Sequence, residues 1–376
     1  MTTPRSLTSD LESHVRRAIA GDGGWIGFER FMELALYTPG LGYYARGDAQ
    51  FGTMPRRADS GGGGGDFVTA PEMAPCFGRA LAVQVAQALQ VTGTDTVWEF
   101  GAGSGALAAQ LLHSLGEQVV RYNIVDLSGA LRARQRETVS AYDGKVCWVD
   151  TLPDRMRGVV VGNEVLDAMP VTLLVRKSGV WHERGVADRP GEALAWEDRA
   201  TSLRPPLDIA GTYDYLTEIH PVAAGFIHTL AGRLQQGAAF FLDYGFPERE
   251  YYHPQRVMGT VMCHRAHQMD DNPLSDLGSK DITAHVDFTG LALAAQDSAA
   301  LGPEPFNLLG YTTQARFLMN CGLLELLADA SVQERTMGQK LIMEHEMGEL
   351  FKVIGFCRGA PWDAIGFSQG DRAHTL

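Results

Sequence analysis

The chain has 376 residues, 45% of them hydrophobic and 20% charged, with 32 basic and 45 acidic side chains leaving a formal charge of −13. That length allows roughly two to three domains of about 150 residues, or one large domain with insertions, around a sizeable core. Its acidity repels phosphate backbones and argues against nucleic-acid binding. Cys76, Cys147, Cys263, Cys321 and Cys357 are scattered, odd in number and without C-x-x-C spacing, so neither a disulfide framework nor a zinc cluster is expected. No apolar leader and no 18-residue apolar run occurs, which leaves no membrane span and, by elimination, a cytoplasmic location as the expectation.

In chain order, Ser9 and Glu12 have capping-box spacing, and Leu11, Val15 and Ile19 recur every four residues, predicting a short amphipathic helix. A second helix is predicted over Phe28–Leu36, stopped by Thr38-Pro39-Gly40. Residues 47–65 are polar and glycine-rich, with five glycines at 61–65, and are expected to form a mobile loop. Thr69 and Glu72 again have capping-box spacing before the stripe Phe77, Leu81, Val85, Leu89. From residue 96, strands and helices alternate: strands at Thr96–Trp98, Tyr122–Val125, Val146–Val149 and Val159–Gly162, a helix through Leu107, Leu111 and Leu115, and another from a Ser128 cap to about Val139. This alternation predicts a parallel sheet covered by helices. Residues 171–197 read as a hairpin around Lys177-Ser178-Gly179 and further strand, hence an insertion. Val222, Phe226, Leu230 and Leu234 mark a helix stopped by Gly237, followed by a buried strand, Ala238–Leu242. Residues 246–310 have no clear period; Asp281–Phe288 reads as a linker into a helix, and 366–376 as a frayed tail.

The strongest local signal is Val97-Trp98-Glu99-Phe100-Gly101-Ala102-Gly103-Ser104-Gly105, between a strand and a helix. Gly101, Gly103 and Gly105 let the backbone approach a ligand closely, and Asp126, at the next strand end, can bind ribose hydroxyls. Gly101, Gly103 and Ala106 also satisfy the dinucleotide pattern G-x-G-x-x-A. Glu99 discriminates: it would repel a pyrophosphate but favours S-adenosyl-L-methionine, which is cationic and has no phosphate. The alternative is that Glu99 caps a turn and the glycines serve packing.

Asn163, Glu164 and Asp167 follow the fourth core strand, where open α/β sheets bind ligands. Asn163 is expected to face the cofactor. Glu164 and Asp167, three apart, would share a face of one helical turn and suit a cationic acceptor, orienting a guanidinium while one accepts its proton. Helix capping by Asn163 and a solvated acidic turn remain the alternative. Glu218 either lines an acceptor pocket or offsets a helix end. Asp243 faces the cleft or starts a turn. His264, His267 and His285 lack metal spacing and are read as ordinary loop or core residues.

These stretches together resemble the MidA-like methyltransferases, whose mitochondrial members assist assembly of respiratory complex I. The resemblance runs through Phe31–Tyr37 and Gly42-Tyr43-Tyr44, Gly65–Glu72, Glu99–Gly105, Asn163-Glu164 with Asp167-Ala168, Asp243-Tyr244-Gly245, Asp281–Phe288 and Thr313-Gln314. It departs from the family at the glycine run 61–65, at Met169 and at Ser279-Lys280. It implies a Rossmann-like class I methyltransferase core with an N-terminal helical segment and a β-rich insertion. It further implies, in the mitochondrial branch, symmetric dimethylation of a protein arginine, and it suggests closure of Gly65, Asp66 and Thr69 over the cofactor beside the glycine loop. The expected division is 1–64 as helical segment and loop, 65–170 and 215–365 as core, 171–214 as substrate insertion and 366–376 as tail. The expected cofactor set is Gly65, Asp66, Thr69, Glu99, Gly101, Gly103, Gly105, Asp126, Leu127 and Asn163, with Glu164, Asp167 and Glu218 as catalytic candidates and no metal. A protein or peptide acceptor is expected. The rivals are a small-molecule N- or O-methyltransferase, a non-catalytic assembly factor retaining the pocket, and, if Glu99 is misread, an NAD-dependent oxidoreductase.

Overall fold

Seven strands form the continuous path of the central sheet of this computed structural model, which describes residues 4–46, 69–126, 129–265, 268–298 and 301–376, and an eighth, Val286–Asp287, pairs with one of them off that path. The seven are β1 (Thr96–Phe100), β2 (Arg121–Val125), β3 (Val146–Val149), β4 (Met156–Asn163), β5 (Leu234–Phe246), β6 (Phe306–Thr313) and β7 (Phe351–Arg358). The spatial order is β3-β2-β1-β4-β5-β7-β6. Neighbours from β3 to β5 are parallel, whereas β7 runs antiparallel to both β5 and β6. The chain winds outward from β1 and returns at β4, so the switch point, where such sheets open a crevice, lies between β1 and β4.

The core follows from side-chain alternation. On β5, Ala238, Phe240 and Leu242 join the core under the helices Cys76–Thr92 and Ala106–Leu115, while Ala239 and Phe241 join the core under Pro221–Arg233 and Phe288–Asp297. Burial on both faces explains why the strand reads as a continuous apolar run. The predicted stripe Phe77, Leu81, Val85, Leu89 is buried on one face. All five cysteines are unpaired, with only Cys147 exposed.

A second, antiparallel sheet contains the predicted hairpin, Thr172–Lys177 and Val180–Ala187, whose turn places Ser178 at φ 49° and Gly179 at φ 80°. Both positive angles are what a two-residue hairpin of the right twist requires. This sheet also takes in Ala195–Ala200, Tyr215–Ile219 and, from the N-terminal segment, Trp25–Gly27. It therefore extends beyond 171–214 at both ends. The helices Pro4–Gly21 and Phe28–Tyr37 pack on it through Leu11, Val15, Ile19, Phe28 and Phe31. Three short strands, Met262–Arg265, Gln268–Asp270 and Asp281–Thr283, form a third sheet.

Three expectations are corrected. Gly237 does not stop a helix: the helix ends at Arg233, and Gly237 lies inside β5 at φ 139°, where a Cβ would sit 1.8 Å from the Gly158 carbonyl oxygen of β4. Residues 164–170 form no helical turn. The segment 366–376 is not frayed, because Phe367 is buried and Thr312 and Tyr311 bond to Gly370, Asp371 and Arg372. The loop 47–65, Gly65, Asp66, Leu127, the Ser128 cap and His267 lie outside the described residues.

Candidate active site

A cavity of about 1200 Å³ opens at the carboxyl ends of β1, β2, β4 and β5. The glycine loop forms one wall. Gly101 leaves β1 at φ 64°, and its N–H donates to the Val125 carbonyl of β2 at 3.0 Å. A Cβ there would lie 2.9 Å from Val165 Cγ2, so both backbone angle and space favour glycine. Gly103 also lines the cavity; Gly105 does not, and instead caps Ala106–Leu115 against Gln135. Gln135, unmarked by any sequence pattern, ties this wall together. Its Nε2 donates to Gly103 O at 3.1 Å and Asp126 Oδ2 at 2.8 Å, and its Oε1 accepts from Trp148 Nε1 at 2.9 Å.

Glu99, Asp126, Asn163 and Thr69 all line the same cavity. Glu99 is buried and accepts a 2.6 Å hydrogen bond from the Tyr122 hydroxyl. Burial pushes its carboxyl up to about 8; the tyrosine works against this and Asp126 adds to it. A buried acid that resists ionisation has its charged form stabilised by a cationic ligand. The donor set therefore fits S-adenosyl-L-methionine: backbone that can be approached at Gly101 and Gly103, a strand-end acid for ribose hydroxyls, and an acid for the cationic end.

The opposite wall is acidic. Glu164 follows β4 with a left-handed backbone, φ 52°, unusual for a residue with a side chain. Its N–H donates to the Leu242 carbonyl at 2.9 Å, and Asp243 Oδ2 accepts from the N–H groups of Val165, Leu166 and Asp167 at 3.1, 2.9 and 3.2 Å. Asp243, on β5, thus pins this loop to the adjoining strand; it does not line the cavity. Removal from water raises the Glu164 carboxyl to about 8, helped by Asp167 and opposed by the Asn163 amide. Asp167 is raised to about 6 by burial, opposed by the Tyr244 hydroxyl at 2.5 Å from Oδ2.

Glu218 lies elsewhere. It is fully buried on Tyr215–Ile219, accepting from Thr260 N, Val261 N and the Tyr251 hydroxyl at 2.7, 3.1 and 2.9 Å, and is absent from the cavity lining. It braces a loop, so neither a pocket-lining role nor a helix-end role applies. His264 and His285 line the cavity. Among the described residues nine carboxylates face this space, and no lysine or arginine does. Among the described residues no three His, Cys, Asp or Glu side chains are placed to hold one metal ion, and no described helix is long and apolar enough to cross a membrane.

A family model described as "Putative S-adenosyl-L-methionine-dependent methyltransferase" matches residues 80–305. The chain is 47% identical to a crystallised Burkholderia thailandensis protein bound to S-adenosyl-homocysteine, with a TM-score of 0.91 and coverage of 100% of this chain and 99% of that one. It is 27% identical to the mitochondrial protein arginine methyltransferase NDUFAF7 of Danio rerio, over 93% of this chain and 87% of that protein. The Homo sapiens counterpart is also 27% identical, over 86% and 76%. The expectation of a cytoplasmic location is overturned, because these relatives are mitochondrial.

Proposed function

The chain belongs to the S-adenosyl-L-methionine-dependent methyltransferase family, and from that premise we propose that it methylates a protein arginine, with Glu164 and Asp167 receiving the guanidinium. One observation carries this reading: a cavity walled by nine carboxylates and, among the described residues, no basic lysine or arginine. Such a field favours a cationic acceptor and disfavours an anionic one. The relatives named as protein arginine methyltransferases support the same substrate class.

When bound, S-adenosyl-L-methionine supplies a methyl group activated on a sulfonium. Gly101 and Gly103 would lie against it, with Asp126 toward the ribose and Glu99 toward its cationic end. The protein's remaining work is positioning and charge. Glu164 and Asp167 accept hydrogen bonds from the guanidinium, and a carboxylate oxygen of Glu164 takes the proton the nitrogen must lose. An acid raised to about 8 is well matched to receive it near neutral pH.

The test is an array of arginine- and lysine-centred peptides incubated with protein and methyl-labelled cofactor. Label on arginine ω-nitrogens, located by mass spectrometry, is expected. Label confined to lysine peptides or to small-molecule acceptors would overturn the arginine assignment.

A further inference from the structure

Three segments far apart in sequence meet at the cavity wall beyond Glu164. Tyr37 and Tyr44 end the N-terminal helical region, Asp167 follows β4, and Asp281 opens the last strand of the third sheet; all four line the cavity. The two tyrosine rings stack with centroids 5.7 Å apart and planes at 22°. Each hydroxyl is committed: Tyr44 donates to Asp281 Oδ1 and Oδ2 at 2.8 and 2.9 Å, and Tyr37 donates to the Ala168 carbonyl at 2.7 Å. The N–H of Ala284 donates to the Asp167 carbonyl at 2.9 Å, joining the second and third segments. Asp167 is 5% and Asp281 4% exposed. While Tyr244 fixes Asp167 Oδ2, Asp167 Oδ1 is buried without a hydrogen-bond partner among the described residues.

A buried carboxylate oxygen with no donor is costly unless a ligand supplies one. Two carboxylates set beside a stacked aromatic pair match one chemistry closely. A guanidinium is planar, carries its donors in the plane and offers its faces to aromatic rings. An ammonium on a flexible stem presents a compact, strongly hydrated charge with no plane to lay against the rings. Resting on the arginine reading above, we propose that the acceptor guanidinium seats between Asp167 and Asp281 against the Tyr37–Tyr44 pair, so that Asp281 and Tyr44 select arginine over lysine. Glu164 then serves the reacting nitrogen, while this box sets which side chain is admitted. Tyr44 is a positioning residue acting through Asp281.

The experiment titrates protein saturated with S-adenosyl-homocysteine against the peptide Gly-Gly-Arg-Gly-Gly and its lysine and citrulline counterparts, read by ligand-observed NMR. The native protein should bind the arginine peptide at least about tenfold more tightly than either counterpart, the scale of a charge-assisted hydrogen bond. Asp281→Asn should remove most of that preference while S-adenosyl-homocysteine affinity is kept. Tyr44→Phe should weaken the arginine peptide less, with restoration by the native residue. An Asp281→Asn protein that binds S-adenosyl-homocysteine and retains the full preference overturns the box. Should that variant lose S-adenosyl-homocysteine binding, Tyr44→Phe decides, and unchanged discrimination overturns it. A native protein that binds S-adenosyl-homocysteine but shows no preference for the arginine peptide defeats the arginine reading itself.

Discussion

Glu164 carries a left-handed backbone, a carboxyl raised to about 8 and a place on the cavity wall. A strained φ of this kind costs on the order of 1–3 kcal/mol and persists where surrounding bonds impose it, here the Asp243 carboxylate and the Leu242 carbonyl. Glu164→Gln keeps the shape and removes the charge. Peptide methylation should fall by about 10²-fold or more, with affinity for S-adenosyl-homocysteine little changed. Full activity in that variant would exclude the carboxylate as base or anchor; loss of cofactor affinity would move it to the cofactor end. Glu99 makes a separate prediction. With its carboxyl near 8, it is protonated at pH 6.5 in the free protein. A cationic ligand favours the ionised form and lowers that value. Binding of S-adenosyl-L-methionine at pH 6.5 should therefore release protons, seen as a dependence of calorimetric enthalpy on the buffer's ionisation heat. Equal enthalpies in all buffers would show that Glu99 does not change charge.

At the scale of elements, what the sequence reveals depends on how local the cause is. The stripe Phe77, Leu81, Val85, Leu89 and the run Ala238–Leu242 carry their own periods, and both are buried as expected. The third sheet does not: its strands span three or four residues, too few to show alternation, and one of the pairings, Met262 with Thr283, joins residues distant in the chain. Spacing alone put Glu164 and Asp167 on one helical turn, but Glu164 takes a left-handed backbone, φ 52°, that a right-handed helix excludes. Gly101, Glu99 and Asp126 were legible because strand, glycine loop and acid follow one another in sequence; Gln135 was not, since only the folded register brings it to Gly103. The tail is hidden for the same reason. Phe367 sits where Gly310 and Gly355, on the adjacent strands β6 and β7, lack side chains, and it meets Phe317 edge-on at 5.4 Å. Phe367→Ala should cost about 3–5 kcal/mol, the usual loss for a buried phenylalanine. Chemical denaturation should show a lower midpoint, and an unchanged midpoint would mean the tail is not docked in solution.

For the molecule as a whole, acidity and burial act together through pH. Glu99 and Glu164 are raised to about 8 and Asp167 to about 6, all first by burial. In the unfolded chain these groups ionise near the ordinary carboxylate range. Between that range and pH 8 the folded state therefore holds protons that the unfolded chain has released. Stability falls wherever the folded state binds more protons and pH rises, so these groups weaken the ligand-free protein progressively up to about pH 8. Two histidines act in the opposite direction. His220 and His285 are lowered to about 4, first by burial, so below the ordinary histidine value the unfolded chain takes up protons that the folded state refuses. Their contribution is present above about pH 6.5 and is lost as pH falls toward 4. The raised acids, with Asp287 also at about 6, outweigh the two histidines, so the ligand-free protein should lose stability as pH rises from about 5 to 8. A cationic ligand that ionises Glu99 opposes the alkaline decline. S-adenosyl-L-methionine should consequently raise the melting temperature more at pH 8 than at pH 6. Differential scanning fluorimetry from pH 4.5 to 8.5, with and without the ligand, reads both effects. Ligand-free stability that climbs steadily to pH 8.5 would show that these cavity acids are already ionised in the folded protein, and would remove the reason for the acidic wall to await a cation.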